Sequence, residues 1–125
     1  MSKIIVNTEV MGPDFSELVL HELHYEWSRE TVTLAATDAA LPRGMVLMRE
    51  AGDYKPLTES DGTLSGAPVA VLIKAAPASD SAQPGVVIRR GAIVNGAALV
   101  FDASVATKQA EAKLALSDLG IVVKE

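Results

Sequence analysis

Short apolar runs separated by turn-forming residues dominate the chain from residue 31 onward. The runs at residues 31–36 and 45–48 are short and apolar or β-branched, and each predicts a strand. Residues 67–75, APVAVLIKA, are apolar almost throughout, so this segment is expected to form the most buried strand. Turn signals that contain Gly or Pro stand between the runs, at residues 42–44, 52–53, 61–62 and 65–66. The pattern predicts a body made of several short strands.

The first 30 residues follow a different pattern and are predicted to form a flexible arm, with the body spanning residues 31–125. The arm contains both histidines and three of the five aromatic residues of the chain. Leu23, Tyr25 and Trp27 alternate with polar residues, which predicts a strand with these three side chains on one face. Such side chains either fold back onto their own domain or anchor in another protein.

Adjacent arginines interrupt the apolar stretch GVVIRRGAIVNG at residues 85–96. Apolar runs flank Arg90 and Gly91 on both sides, and Gly readily adopts the positive φ of a tight turn, so a β-hairpin is expected here. Its corner would place Arg89 and Arg90 in solvent. The alternative is that the two arginines contact an anion or a partner.

The segment ASVATKQAEAKLALSDLG is the one convincing helix of the chain. Leu114 and Leu116 belong to an approximate helical stripe, while Ser104 or Thr107 could cap its start. Gly120 stands where a left-handed residue commonly ends a helix, and the following IVV predicts a last strand. Several strands followed by one late helix indicate a mainly β (α+β) fold.

Composition narrows the functions that this single domain of 125 residues could have. There are 16 acidic and 11 basic residues, and the resulting net charge of −5 repels nucleic acid, which is therefore not expected as a partner. The absence of Cys excludes disulfides and thiolate metal sites. No signal peptide or membrane-spanning run is evident, so no membrane partner is expected. Aromatics make up only 4% of the chain, and such a thin core favours self-association.

The candidate chemistry is sparse. His21, His24 and Glu26 are residue types that bind zinc, but their spacing is not that of a known metal motif, and a strand would point the two histidines to opposite faces. No nucleophile elbow or phosphate-binding glycine motif occurs. We therefore assign no catalytic, cofactor-binding or metal-binding residue and expect the protein not to be an enzyme.

In order along the chain, the segments TVTLAA, LPRGMVLM, DGTLSGAPVAVLIKAA, VVIRRGAIVNGAALVF and KLALSDLGIVV resemble the head decoration proteins of tailed phages, the family typified by the capsid-stabilising protein of phage lambda. The resemblance covers residues 31–125. It implies a β-clip-like fold and a homotrimer that attaches to the major capsid protein at three-fold positions of the expanded head. It also implies an arm that becomes ordered on the shell by adding a strand to a capsid protein.

Under this resemblance the protein lies on the outer capsid surface of the virion, after synthesis in the host cytoplasm. The contacts expected with the capsid are Leu23, Tyr25, Trp27 and Val32, since alternating large side chains suit strand addition. Two other hypotheses remain open. One is a small trimeric β-clip enzyme that acts on nucleotides, similar to dUTPase, and the other is an adaptor or assembly protein inside the virion.

Overall fold

The computed structural model describes residues 13–125. Three helices lie in this part: α1 (Phe15–Leu18), α2 (Tyr25–Ser28) and α3 (Gln109–Asp118), with a 3₁₀ turn at Gly96–Ala98. The strands are β1 (Val19–Glu22), β2 (Arg29–Leu34), β3 (Val46–Glu50), β4 (Asp53–Pro56), β5 (Glu59–Ser60), β6 (Thr63–Leu64), β7 (Pro68–Leu72), β8 (Gln83–Ile88), β9 (Ala92–Asn95) and β10 (Ile121–Lys124). The mainly β fold with a C-terminal helix is confirmed.

Five of the strands close into a barrel in the order β2-β4-β3-β7-β8. All neighbours in the barrel are antiparallel except β2 and β4, which run parallel and pair at Leu34 and Tyr54. The backbone N–H of Ala35 donates to the Tyr54 carbonyl at 2.8 Å and extends this seam. Because a closed barrel leaves no free edge among its own strands, the body exposes few unpaired backbone groups there.

A three-stranded sheet, in the order β1-β9-β10, lies against the outside of the barrel. The middle strand β9 pairs antiparallel with β1 and parallel with β10. Strands from near both ends of the described chain thus flank one internal strand. This sheet makes the segment before β2 part of the folded unit.

The alternation of side chains along the barrel strands divides the core into two clusters. Leu47, Leu72 and Val87 belong to the cluster inside the barrel. Their neighbours in sequence, such as Val71 and Ile88, face outward and pack with residues of the three-stranded sheet and α3. The prediction that residues 67–75 contain the most buried strand agrees with β7, in which four of five residues are buried. A strand covered on both faces requires this continuous apolar sequence.

The start of α3 is stabilised by a carboxylate from a distant strand rather than by a local cap. Lys108 is the N-cap residue and its side chain makes no capping hydrogen bond. Instead, the Glu59 carboxylate accepts from the N–H groups of Thr107 and Lys108, both at 3.1 Å, and from the Thr107 hydroxyl. These hydrogen bonds, led by that from the Thr107 hydroxyl, lower the pKa of Glu59. The prediction of a cap by Ser104 or Thr107 is therefore wrong.

Helix α3 ends just before Gly120 as predicted, but the set of its residues that are buried agrees with the prediction only in part. Gly120 has a φ of +90° and its N–H donates to the Ser117 carbonyl at 3.0 Å, as a left-handed helix ending requires. Leu116 is buried as predicted. Leu114 is 70% exposed, so the apolar stripe is narrower than the sequence indicated.

The predicted hairpin across Arg90 and Gly91 is wrong. Strand β8 pairs with β2 and β7 in the barrel, whereas β9 pairs with β1 and β10 in the other sheet. Gly91 does have a positive φ of 61°, so a turn is present. The turn carries the chain from one sheet to the next because the strands on each side find better partners at long range.

The predicted strand through Leu23, Tyr25 and Trp27 is also wrong, since the chain forms the helical turn α2 at this point. His24 acts as its N-cap, with its Nδ1 accepting from the Glu26 N–H at 3.2 Å. A side chain that hydrogen-bonds to the local backbone stabilises a turn in competition with strand pairing. An alternation of apolar and polar residues over five positions does not show whether such a hydrogen bond forms.

The predicted boundary between arm and body at residue 30 falls within β2. In the described part of the arm, Leu18 is fully buried and β1 pairs with β9, so residues 13–30 pack on the body. The rest of the predicted arm, residues 1–12, lies outside the described residues.

Candidate functional site

Three large apolar side chains project from the protein around α2. Leu23, Tyr25 and Trp27 are 68%, 59% and 51% exposed, and we refer to them as the α2 corner. Exposed apolar groups that lie close together in a small domain mark an interaction site more often than isolated ones do. Val32, the fourth residue predicted from the sequence, is only 9% exposed and packs inside the barrel, so it is not part of this surface.

The backbone of the corner is held to the turn between β8 and β9. The Leu23 N–H and the Ser28 hydroxyl both donate to the Gly91 carbonyl, each at 2.9 Å. The Trp27 ring lies so close to Gly91 that a Cβ at this position would collide with it. A glycine is therefore needed here for two reasons: Gly91 adopts the positive φ of the turn, and its lack of a Cβ leaves space for the Trp27 ring, a contact that we call the seat of Trp27.

Arg29 braces the other side of the corner. Its guanidinium forms a two-pronged ion pair with Glu22, with N–O distances of 2.7 and 2.9 Å. The hydrogen bond to Glu22 raises the pKa of Arg29. The guanidinium also lies 4.9 Å from the centre of the Phe15 ring and 5.9 Å from that of Tyr25, which in turn stacks on His24. The rings of the corner are thus presented by a braced scaffold.

The two adjacent arginines of the turn do not extend freely into solvent, and the interpretation as a solvated corner is wrong. Arg90 donates to the Trp27 carbonyl at 2.7 Å and to Glu30 at 3.1 Å. Arg89 donates to the Tyr54 hydroxyl at 2.7 Å and lies 3.4 Å from the Glu30 carboxylate. Sequence reasoning missed this network, because it joins the ends of strands far apart in the chain.

A shallow apolar depression of about 180 Å³ lies beside Leu23. His21, Ile93 and Val122 contribute to its lining from the three strands of the outer sheet. Val122 is half exposed and continues the apolar surface of the α2 corner onto β10. A partner that covers the corner would therefore meet further apolar surface here.

The structure gives the histidine segment a structural role. His24 caps α2, and its Nδ1 lies 3.9 Å from a Glu26 carboxylate oxygen. Among residues 13–125, no three or more His, Cys, Asp or Glu side chains are grouped to hold a metal ion. Within the same range, no helix has the length and apolar character needed to cross a bilayer.

Comparison with known proteins identifies the family. The model of the family described as bacteriophage lambda head decoration protein D matches residues 8–121, which is most of the chain. No curated protein matches the sequence at a significant level. The matched range includes the barrel, the outer sheet and the α2 corner. The chain therefore belongs to the family of the bacteriophage lambda head decoration protein D, a family of structural proteins of the phage capsid.

Proposed function

We propose that the protein binds as a homotrimer at three-fold positions on the outer surface of the expanded phage head and stabilises the head against the pressure of packaged DNA. Residues 1–30 are the capsid-binding part in this proposal, with Leu23, Tyr25 and Trp27 as contacts with the major capsid protein. The protein is made in the host cytoplasm and acts by binding alone.

The observation that carries the proposal is the exposure of the α2 corner within a chain of this family. Trp and Tyr are enriched among the residues that contribute most to protein interfaces. Both lie on a helical turn that is already ordered in the free protein, so docking would lose little side-chain conformational entropy. A corner that is ordered before binding suits insertion into a site on the shell.

A second apolar surface supports association between copies of the chain. A groove of about 650 Å³ lies between α3 and β10, with Ala110, Leu114 and Val123 in its lining. Leu114 is the most exposed large apolar side chain of the described residues. A three-fold ring requires one surface of each copy to meet a different surface of the next, and this groove would provide one of the two.

Stabilisation of the head would follow from mass action. A ligand that binds the expanded shell and not its loosened state stabilises the former by RT ln(1 + [L]/Kd). Three α2 corners in one trimer bind together, because attachment of the first holds the others at high effective concentration. Bridges between neighbouring capsid subunits would then resist loosening of the expanded shell by the pressure of the packaged DNA.

The test compares the binding of Trp27→Ala and of the parent protein to empty expanded heads of the phage that encodes the chain. We expect the substitution to weaken binding at least about tenfold, because truncation of a hot-spot residue, a class enriched in Trp, costs about 2 kcal/mol or more. Lys74→Ala is the control, since it removes an exposed side chain outside the α2 corner. Equal binding by Trp27→Ala and parent would contradict the assignment of the corner.

Point substitutions suit this test better than deletion of the predicted arm. Deletion of residues 1–30 would remove β1, the buried Leu18 and the first two residues of β2. Such a protein would lose capsid binding through unfolding, whatever the role of the corner.

A further inference from the structure

A line of arginine contacts begins at the α2 corner and leads away from it across the surface. The guanidinium of Arg90 lies 6.0 Å from the centre of the Trp27 ring. It shares the carboxylate of Glu30 with Arg89, at distances of 3.1 and 3.4 Å. The side chains of both arginines are about one quarter to one third exposed, so they form part of the surface next to Trp27.

The line continues through Tyr54 to a third arginine. The guanidinium groups of Arg89 and Arg49 each lie 5.7 Å from the centre of the Tyr54 ring. Arg49 is exposed, and it forms no ion pair within the described part of the chain. We refer to Arg49, Arg89 and Arg90 together as the arginine strip.

The periodicity of the strands places the strip at one end of the barrel. Arg49 lies two residues after Leu47 on β3, and Glu30 lies two residues before Val32 on β2. Leu47 and Val32 both face the barrel interior, so Arg49 and Glu30 lie on the same faces of their strands, at the point where the interior meets solvent. The arginine strip therefore lies at the end of the barrel beside the α2 corner.

The strip is positive in a protein that is negative overall. It combines three arginines with the single carboxylate of Glu30, while the whole chain has a net charge of −5. The Nε atom of Arg89 is buried without a hydrogen-bond partner among the described residues, so the guanidinium is not fully satisfied within the chain. A local excess of positive charge next to an apolar surface attracts a negatively charged partner to that place.

We infer that the arginine strip binds the carboxylates of an acidic segment of the major capsid protein, next to the site on the shell that accepts the α2 corner. The inference rests on the proposed function and specifies the chemistry of the partner. The arginine strip adjoins the exposed rings of Trp27 and Tyr25. This arrangement favours a protein segment as the partner, because such a segment can present both apolar and acidic side chains. The net charge of −5 disfavours nucleic acid, which carries phosphates along its whole length.

Arg49 is the residue to change, since it lies in the strip but outside the hydrogen bonds of Arg89, Arg90 and Glu30. Binding of Arg49→Glu, Arg49→Gln and the parent to empty expanded heads would be measured over a range of NaCl concentrations. Lys74→Glu is the matched control, because it makes the same charge change at an exposed site outside the strip. Circular dichroism and thermal unfolding of each variant would confirm that it folds.

We expect Arg49→Glu to weaken binding about tenfold at low salt and Arg49→Gln to weaken it less, with smaller differences at high salt because salt screens exposed charges. Lys74→Glu should bind as the parent does. Parent-like binding by Arg49→Glu would overturn the inference and leave the proposed function intact. Failure of the parent to bind heads would overturn both. Binding of the parent to a duplex DNA fragment that is lost in Arg49→Glu would assign the strip to nucleic acid instead.

Discussion

The seat of Trp27 on Gly91 gives the most specific prediction about the α2 corner. In Gly91→Ala the new Cβ would occupy the space of the Trp27 ring, and Ala would also have to adopt a φ of +61°. Gly62 offers a matched control, because its φ is +76° and no atom lies within 4 Å of a Cβ built there. The two substitutions share the backbone strain and differ in the collision with the ring.

The backbone conformation and the contact with the ring set the size of each effect. A left-handed conformation costs a residue with a Cβ about 1–2 kcal/mol, and both variants should lose this amount of stability. Trp27 is 51% exposed, so about half of its surface, on the order of 120 Å², is buried. At about 25 cal/mol per Å², displacement of the ring would cost Gly91→Ala up to about 3 kcal/mol more.

Urea unfolding followed by fluorescence measures this difference directly, since Trp27 is the only tryptophan of the chain. We expect Gly91→Ala to be less stable than Gly62→Ala, with native emission shifted to longer wavelength as the ring moves into water. Gly91→Ala should also bind expanded heads more weakly. Equal stability and unchanged emission in the two variants would refute the proposed seat of Trp27.

Two further predictions concern the scaffold around the corner. Leu18→Ala should destabilise the protein by about 2–5 kcal/mol, because Leu18 is fully buried against the outer sheet. A leucine on a free arm would contribute almost nothing to stability. Thermal unfolding of the variant and the parent distinguishes a packed Leu18 from one on a free arm. Because the folded-state pKa of Glu59 is lowered, its contribution to stability is present above its ordinary pKa of 4.5 and is lost as pH falls through the lower folded value. Glu59→Gln should therefore be less stable than the parent at neutral pH and should approach it in acid, as urea unfolding at several pH values would show; a constant difference would contradict this role.

Features that depend on local sequence were predictable. The continuous apolar run around β7 indicated a strand buried on both faces, and Gly120 indicated the end of α3, because each follows from the residues of one segment. The turn at Gly91 was predictable for the same reason. Its flanking strands were not, since their partners in β1, β2, β7 and β10 lie far away along the chain.

The candidate site was predictable only in its residue types. The pattern of Leu23, Tyr25 and Trp27 left open whether they pack on the domain or contact a partner, the family resemblance favoured a partner, and all three are exposed. Their presentation on a helical turn depends on the cap from His24 and on the distant carbonyl of Gly91. The arginine strip was beyond prediction, because it requires the ends of β2, β3, β4 and β8 to meet at one end of the barrel. The β-clip topology implied by the resemblance stays a prediction.

The hypothesis of a nucleotide-cleaving enzyme leads to a separate experiment. Incubation of the purified protein with nucleoside triphosphates and Mg²⁺ should release no pyrophosphate if the protein acts by binding alone. The adaptor hypothesis predicts instead that protease does not reach the protein on intact particles, whereas a protein on the outer surface is accessible.

The proposed function requires that the protein attaches to the expanded shell as a trimer. Electron cryomicroscopy of empty expanded heads after saturation with the pure protein tests it most directly. We expect added density at the three-fold positions, with three copies of the 13.1 kDa chain in each feature and each α2 corner turned toward the shell. Heads that remain bare, or density of a single copy away from any three-fold axis, would contradict the claim.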